Sequence, residues 1–152
     1  MTRNDLVALS HALSGAAAII ASVVAKGQIG IPAQPIKTIG FVTFSLGALL
    51  FAWSLFFLRE AFAGNVEPVG VRLVTSGPYT FVRHPVYLAM LVMSLGLATG
   101  LRSVIGLAIT LFAFFPAAIY RARLEERALE ARYRQQWTAY RERTHFIIPL
   151  VY

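Results

Sequence analysis

The chain has 152 residues, of which 57% are hydrophobic and only 14% are charged, and its mean hydropathy is +0.64. Soluble domains carry about 25% charged residues, so this composition excludes an ordinary soluble enzyme and predicts a membrane protein. Cysteine is absent, which excludes disulfides and thiolate chemistry. The excess of 14 Lys and Arg over 7 Asp and Glu is, in this composition, more typical of loops at anionic head groups than of nucleic-acid binding.

Four apolar runs predict an all-α, polytopic membrane fold with about four transmembrane helices. Each lacks Asp, Glu, Lys and Arg and is long enough to cross, or nearly cross, about 30 Å of hydrocarbon. The first is longer than the apolar core of a signal peptide and is followed by Lys26 rather than a cleavage site, which predicts a retained helix. The runs are Leu6–Ala25, Thr38–Leu58, Pro85–Leu101 and Ser103–Tyr120.

The junctions around the third run carry specific signals. Proline is tolerated in a first helical turn, so the third helix is expected to begin at or just before Pro85. Only Gly100 and Arg102 interrupt the apolar sequence between the third and fourth runs, which predicts a tight antiparallel hairpin.

The distribution of positive charge predicts the orientation. Four crossings place both termini, the loop of residues 59–84 and the tail of residues 121–152 on one side, which then carries 11 of the 14 Lys and Arg residues. By the positive-inside rule this side is cytoplasmic. We expect a single membrane domain over residues 1–152 in a prokaryotic plasma membrane, with its oligomeric state left open.

The tail differs from the rest of the chain. Its apolar residues recur at helical spacing, which predicts that the fourth helix continues out of the membrane as an amphipathic helix over Arg121–Arg143. The following residues, Thr144–Pro149, form an extended apolar strip that must dock on another part of the protein. The stripe consists of Tyr120, Leu124, Ala128, Leu129, Tyr133, Trp137 and Tyr140.

Two polar segments are candidates for a binding site. In the first, Val71–Tyr87, His84 precedes a proline at a helix entrance, where first-turn amides favour an anion. In the second, Arg121 and Glu125 are four residues apart and share a helix face. Together at one membrane face, the two segments would suit a zwitterionic ligand. The alternatives are interfacial anchoring by the first segment and a solvated, salt-bridged helix in the second.

The three histidines do not show metal-ligand spacing. His11 lies inside the first apolar run, where an ionisable residue is either functional or a neutral histidine hydrogen-bonded to a neighbouring helix. We expect His145 to be a packing residue of the tail.

The polar motifs from Val71 onward resemble those of a known family. Their order and spacing are similar to the isoprenylcysteine carboxyl methyltransferase family and the related membrane phospholipid methyltransferases. The motifs are Ser76-Gly77-Pro78-Tyr79, Arg83-His84-Pro85-Val86-Tyr87, Glu125-Glu126-x-x-Leu129-x-x-x-Tyr133, Trp137-x-x-Tyr140 and Ile148-Pro149. Ala89 and Arg134 stand where the family often has glycine.

The resemblance implies S-adenosylmethionine as methyl donor. Arg121 matches the arginine that the family places near a substrate carboxylate, Glu125 can pair with the donor's ammonium, and His84 is the nearest base for an amine acceptor. Glu126, about 100° further around the helix, is expected to face solvent or lipid head groups. The cofactor-binding residues that the resemblance implies are Val71, Arg72, Leu73, Val74, Tyr79, His84, Pro85, Val86, Tyr87 and Glu125.

The implied function is methyl transfer to a lipophilic acceptor at the cytoplasmic face, either an isoprenylcysteine-like carboxylate or a phospholipid amine. Two alternatives stay open. An NADPH-dependent membrane reductase is favoured by Arg-His-Pro-x-Tyr, because sterol reductases carry a similar motif. A non-enzymatic scaffold would use the tail to bind a partner.

Overall fold

The fold is helical in the computed structural model, which describes residues 3–30, 32–58 and 73–149. A 3₁₀ turn at Gly77–Thr80 precedes the third helix, and a π-helical turn at Thr110–Phe114 joins the fourth helix to the fifth. The α-helices of the described ranges are α1 (Arg3–Val24), α2 (Ala33–Leu58), α3 (Pro85–Gly100), α4 (Val104–Ile109), α5 (Phe115–Tyr133) and α6 (Gln135–Arg141).

Three helical segments are long and apolar enough to cross a membrane: Asp5–Val24, Ala33–Leu58 and Val104–Tyr133. They agree with three of the four predicted runs. The remaining run, the third along the chain, forms α3, which begins at Pro85 as expected but has only 16 residues. At 1.5 Å per residue it is about 24 Å long, which is less than the hydrocarbon thickness. Its crossing of the membrane stays a prediction.

Small residues bring α2 and α3 into backbone contact. Gly40, Gly47 and Ser54 are buried on α2 at intervals of seven residues and form one stripe on the helix. A Cβ at Gly40 would overlap the backbone of Gly100, and a Cβ at Gly47 would lie 3.0 Å from the carbonyl oxygen of Ala89. Such small-residue contacts are the usual way in which membrane helices approach closely. We call this contact the glycine seam.

The turn after α3 confirms the predicted hairpin. Arg102 has a φ of 58°, and the side chain of Ser103 caps α4 by accepting a hydrogen bond from the Gly106 amide. The amides of Gly27 and Gln28, which follow α1, donate to the carbonyls of Leu101 and Arg102, both at 2.9 Å. The loop after α1 and the turn after α3 therefore lie at the same end of the helix bundle.

The prediction of one continuous helix over Arg121–Arg143 is wrong. The helix ends at Tyr133, and Arg134, with φ 45° and ψ −114°, separates it from α6. The change of direction buries Trp137 and Tyr140 and lets the Tyr140 hydroxyl donate to the Tyr79 carbonyl at 2.8 Å. Burial raises the pKa of this hydroxyl, which therefore remains a donor.

The apolar strip at the C-terminal end docks as expected. The Arg83 amide donates to the His145 carbonyl at 2.8 Å, and the His84 amide donates to the Phe146 carbonyl at 3.2 Å. The His145 amide donates in return to the Phe81 carbonyl at 3.0 Å. We call residues 144–147 the C-terminal strap. It fixes the backbone of the segment that leads into α3.

Candidate active site

Charged side chains from two distant parts of the sequence meet at the N-terminal end of α3. Each of Arg83, His84, Tyr87 and Arg121 is less than one tenth exposed, and the two glutamate side chains are 15% and 21% exposed. We call this group the polar cluster: Arg83, His84, Tyr87, Arg121, Glu125 and Glu126.

Tyr87 connects α3 to α5 at the centre of the polar cluster. Its hydroxyl donates to Oε1 of Glu125 at 2.5 Å and accepts from Nε of Arg121 at 2.8 Å. Arg121 also lies 3.4 Å from Glu125 Oε1, the i,i+4 pair expected from the sequence. The solvated-helix interpretation of this pair is wrong, because Arg121 is 6% exposed. The three side chains hold one another in a single arrangement.

His84 lies between the two glutamates. Its Nδ1 is 3.7 Å from Oε2 of Glu125, and its Nε2 is 3.6 Å from Oε1 of Glu126. Nε2 is buried and has no hydrogen-bond partner among the described residues. The ring is thus directed at two carboxylates but hydrogen-bonded by neither.

The expected orientation of Glu126 is wrong, and so is the alternative that Arg83 is an interfacial anchor. Oε1 of Glu126 accepts from Nε of Arg83 at 2.6 Å. Nη1 of Arg83 donates to the carbonyl of Arg141 at 3.2 Å and to that of Thr144. A helical rotation of 100° turns Glu126 away from Tyr87 but toward the segment before α3, which sequence spacing on one helix does not reveal. The pair ties α5 to the C-terminal strap.

The polar cluster keeps capacity for a ligand. Oε2 of Glu125 accepts no hydrogen bond among the described residues, although a carboxylate oxygen has two lone pairs. The cluster contains the side chains of two arginines and two glutamates, so it holds groups of both signs of charge. Such a site suits a ligand that brings both signs of charge.

The backbone near His84 offers fewer donors than expected. The His84 amide is taken by the strap carbonyl of Phe146, and Pro85 has no N–H. The next two residues, Val86 and Tyr87, are in the first turn of α3, where amides have no acceptor within the helix. A ligand carboxylate would be met by these two amides.

Other predicted cofactor residues lie around the polar cluster. Tyr79 is buried, and burial, the neighbouring Tyr140 and the charge of Glu125 raise the pKa of its hydroxyl. Leu73 and Val74 are half-buried ahead of the 3₁₀ turn. Val71 and Arg72 lie outside the described residues.

Two further residues, Phe146 and His11, contact the polar cluster. The sequence did not assign either of them to a site. The ring of Phe146 packs edge-on against His84, with 5.3 Å between centroids, and Arg83 lies over the same ring at 5.9 Å. The only feature of the sequence that pointed to Phe146 was its position in the apolar strip. His11 reaches Tyr87 from α1, with 5.3 Å between ring centroids.

These features describe an integral membrane protein with a buried cluster of charged side chains at one end of its helix bundle. Comparison with protein families identifies it further: the family model described as phospholipid methyltransferase matches residues 36–136. The chain therefore belongs to the phospholipid methyltransferase family, which confirms the resemblance drawn from the motifs, and its family implies a lipid or membrane-associated substrate. No curated protein and no solved structure shows a significant match to the chain.

Proposed function

We propose that the protein transfers a methyl group from S-adenosylmethionine to the amine head group of a phospholipid at the cytoplasmic membrane face. Family membership supports methyl transfer and a lipid acceptor. The observation that carries the donor assignment is the polar cluster, in which Glu125 presents an oxygen that has no hydrogen-bond partner among the described residues. This oxygen lies beside a buried histidine and a fixed tyrosine.

The chemistry of the donor fits these residues. S-adenosylmethionine carries an ammonium, a carboxylate and a sulfonium, and when bound it supplies an activated methyl group. Oε2 of Glu125 would accept from the ammonium, and the first-turn amides of Val86 and Tyr87 would donate to the carboxylate. The rings of Tyr79 and Tyr87 would enclose the cationic and aromatic parts, with Leu73 and Val74 near them.

The protein's contribution to the reaction is mainly positioning. Tyr87 is held from two sides by Arg121 and Glu125, so its hydroxyl cannot move away without breaking two hydrogen bonds. The C-terminal strap covers His84 with Phe146 and limits access of water. Fixed alignment of nucleophile, methyl and leaving group can supply roughly 7–11 kcal/mol at best.

A topology with four crossings would put the polar cluster on the cytoplasmic side. The glycine seam supports a crossing by α3 in addition to the three longer segments, because α3 runs antiparallel to α2 in direct contact with it. We expect reporter fusions at residue 152 and at Gly30 to give opposite signals, with the C-terminal one cytoplasmic. An external C-terminus would contradict this orientation.

The function is tested with purified protein in phosphatidylethanolamine bilayers and labelled S-adenosylmethionine. We expect label in the lipid and an equal amount of S-adenosylhomocysteine. Binding of NADPH without binding of S-adenosylhomocysteine would support the reductase instead. Failure to bind either would favour a scaffold.

A carboxylate acceptor is the second candidate, and the buried guanidinium of Arg121 favours it. An arginine can hold a carboxylate through two parallel N–H···O bonds, whereas lysine keeps the charge but not the fork. If the acceptor is a carboxylate, Arg121→Lys should bind S-adenosylhomocysteine normally but methylate a prenylcysteine analogue about a hundredfold more slowly.

The same Arg121→Lys variant separates the two acceptors. With phosphatidylethanolamine as substrate, the turnover should change less than about tenfold, because there is no acceptor carboxylate for the guanidinium to bind. Loss of S-adenosylhomocysteine binding in this variant would move Arg121 into the donor site.

A further inference from the structure

Residues 77–84, which lead into α3, lie at the end of the apolar span of α2. A Cβ at Gly77 would overlap the ring of Phe57, which is in the last turn of α2. Trp53, about one turn earlier, is 46% exposed, and tryptophan is enriched at the boundary between the hydrocarbon and the head groups. The segment before α3 is therefore placed at this membrane boundary.

Two large apolar side chains are exposed close to this boundary. Phe81 is 63% exposed, and Ile148, which follows the C-terminal strap, is 38% exposed. All other large hydrophobic residues that are exposed in the described part of the chain lie within the three segments that can cross a membrane. Exposure of apolar surface to water is unfavourable, and contact with lipid removes it. Both side chains thus have the character of residues that face lipid.

The C-terminal strap joins Phe81 to the end of α6. The His145 amide donates to the Phe81 carbonyl at 3.0 Å, and Nη1 of Arg83 donates to the Arg141 carbonyl at 3.2 Å. Arg141 is the last residue of α6, and Arg143 lies two residues before His145; both arginines are exposed. Two cationic residues are therefore held close to Phe81 at the membrane boundary.

The exposed charge of the tail is mostly positive. Glu125 and Glu126 are turned into the polar cluster. The exposed acidic residues between positions 121 and 143 are Glu130 and Glu142. Six arginines are exposed in the same stretch: Arg123, Arg127, Arg132, Arg134, Arg141 and Arg143. This excess of four positive charges attracts an anionic lipid surface, whereas a zwitterionic phospholipid carries no net charge.

We propose that α6 and the C-terminal strap dock on anionic phospholipid head groups of the leaflet at this end of the bundle. Arg141 and Arg143 bind lipid phosphates that no head-group cation balances, and the two exposed apolar side chains enter the layer below the head groups. This lipid needs no amine, so it is distinct from the methyl acceptor. Because the strap carries Phe146 against His84, docking keeps the strap over the polar cluster. The docking does not depend on the identity of the methyl donor or the acceptor.

Hydrogen exchange of the full chain in nanodiscs tests the docking without donor or acceptor. One set of discs contains phosphatidylcholine alone, and the other contains equal parts of phosphatidylcholine and phosphatidylglycerol. We expect about fivefold slower exchange over residues 134–147 in the anionic discs and unchanged exchange in α2, because anionic head groups attract basic segments beside a membrane. The difference should disappear in about 1 M salt, where the Debye length is about 3 Å.

Two matched pairs of substitutions test the residues. Arg141→Gln combined with Arg143→Gln should lose most of the protection in anionic discs. In phosphatidylcholine discs this variant should exchange like wild type, because it keeps the backbone carbonyl that Arg83 contacts. Lys26→Gln combined with Lys37→Gln removes the same charge from exposed residues at the opposite end of the bundle and should keep the full protection. If the arginine variant does not fold, the lipid and salt comparisons on the wild type decide.

Several results would overturn the docking. Equal exchange in the two kinds of disc is one, and equal loss of protection in the two pairs of variants is another. Protection in phosphatidylcholine discs by inorganic phosphate alone would assign the arginines to a soluble anion instead. The proposed function fails separately: a protected tail in a protein that binds no S-adenosylhomocysteine would contradict the donor site only, and an unprotected tail in a protein that binds it would overturn the docking only.

Discussion

The two ends of α3 are held in opposite ways. At its C-terminal end, Gly100 touches the backbone of Gly40 and no side chain separates the helices. At its N-terminal end, Tyr87 is fixed by an arginine and a glutamate from α5. Arg83 is fixed by a glutamate, the last carbonyl of α6 and one strap carbonyl. The packing at the C-terminal end of α3 depends on the small size of the residues, and the contacts at its N-terminal end depend on charged side chains.

We infer from this contrast that the glycine seam maintains the fold and that the polar cluster serves a ligand. The glycine seam gains dispersion contacts over a long, close approach, which is sufficient to hold helices in a membrane. Buried ion pairs gain little net stability, because desolvation offsets their attraction. The polar cluster therefore contributes less to folding than its contacts suggest, and we interpret it as a preorganised binding site.

The largest expected effect concerns the glycine seam. Gly40→Ala would force a methyl group into the backbone of Gly100, which cannot move aside as a flexible side chain could. We expect a loss of about 3 kcal/mol or more in the free energy of unfolding. Thermal unfolding in detergent measures it. Gly30→Ala is the control, because a Cβ there meets nothing within 4 Å; equal stability of both variants would contradict the seam.

A smaller effect is expected where the C-terminal strap is tied to the site. Arg83→Lys keeps the charge beside Glu126 but loses the fork that reaches the Arg141 and Thr144 carbonyls. We expect a destabilisation of about 1–2 kcal/mol, confined to the tail. Hydrogen exchange should become faster over residues 144–147 and stay unchanged in α2. The exposed Arg123→Lys should exchange like wild type, and uniform acceleration in Arg83→Lys would argue against a local strap.

The smallest effect is a gain in stability at the break between α5 and α6. Arg134 adopts φ 45°, which glycine reaches without steric cost. We expect Arg134→Gly to stabilise the protein by about 1 kcal/mol. Arg127→Gly, within α5, should instead cost about 1 kcal/mol. Thermal unfolding of the two variants should shift in opposite directions, and a shift in the same direction would exclude backbone strain at Arg134.

Local sequence signals predicted a large part of this structure. Proline at position 85 marked the start of α3, the short interruption around Arg102 predicted the hairpin, and the apolar strip after Thr144 was expected to dock. The i,i+4 spacing placed Arg121 and Glu125 together. Each of these features depends on neighbours along the chain, which periodicity and turn chemistry describe well.

The errors concern contacts between distant segments. Helical geometry alone predicted that Glu126 faces solvent or lipid head groups, because its partner Arg83 lies 43 residues earlier in the sequence. The apolar stripe continues through Trp137, so it gave no sign of the break at Arg134. The contact of His11 with Tyr87 joins α1 to α3 and has no local signal. Tertiary packing decided all three.

The central claim is that the polar cluster binds the methyl donor through Glu125. Calorimetric titration with S-adenosylhomocysteine of wild-type protein, Glu125→Gln and Glu126→Gln tests it most directly. We predict that Glu125→Gln weakens binding by roughly 1.5–3 kcal/mol, the range for a hydrogen bond to a charged group, while the protein stays folded. Glu126→Gln should weaken binding less, because Glu126 is already paired with Arg83. Equal losses in the two variants, or unchanged affinity in Glu125→Gln, would contradict the account.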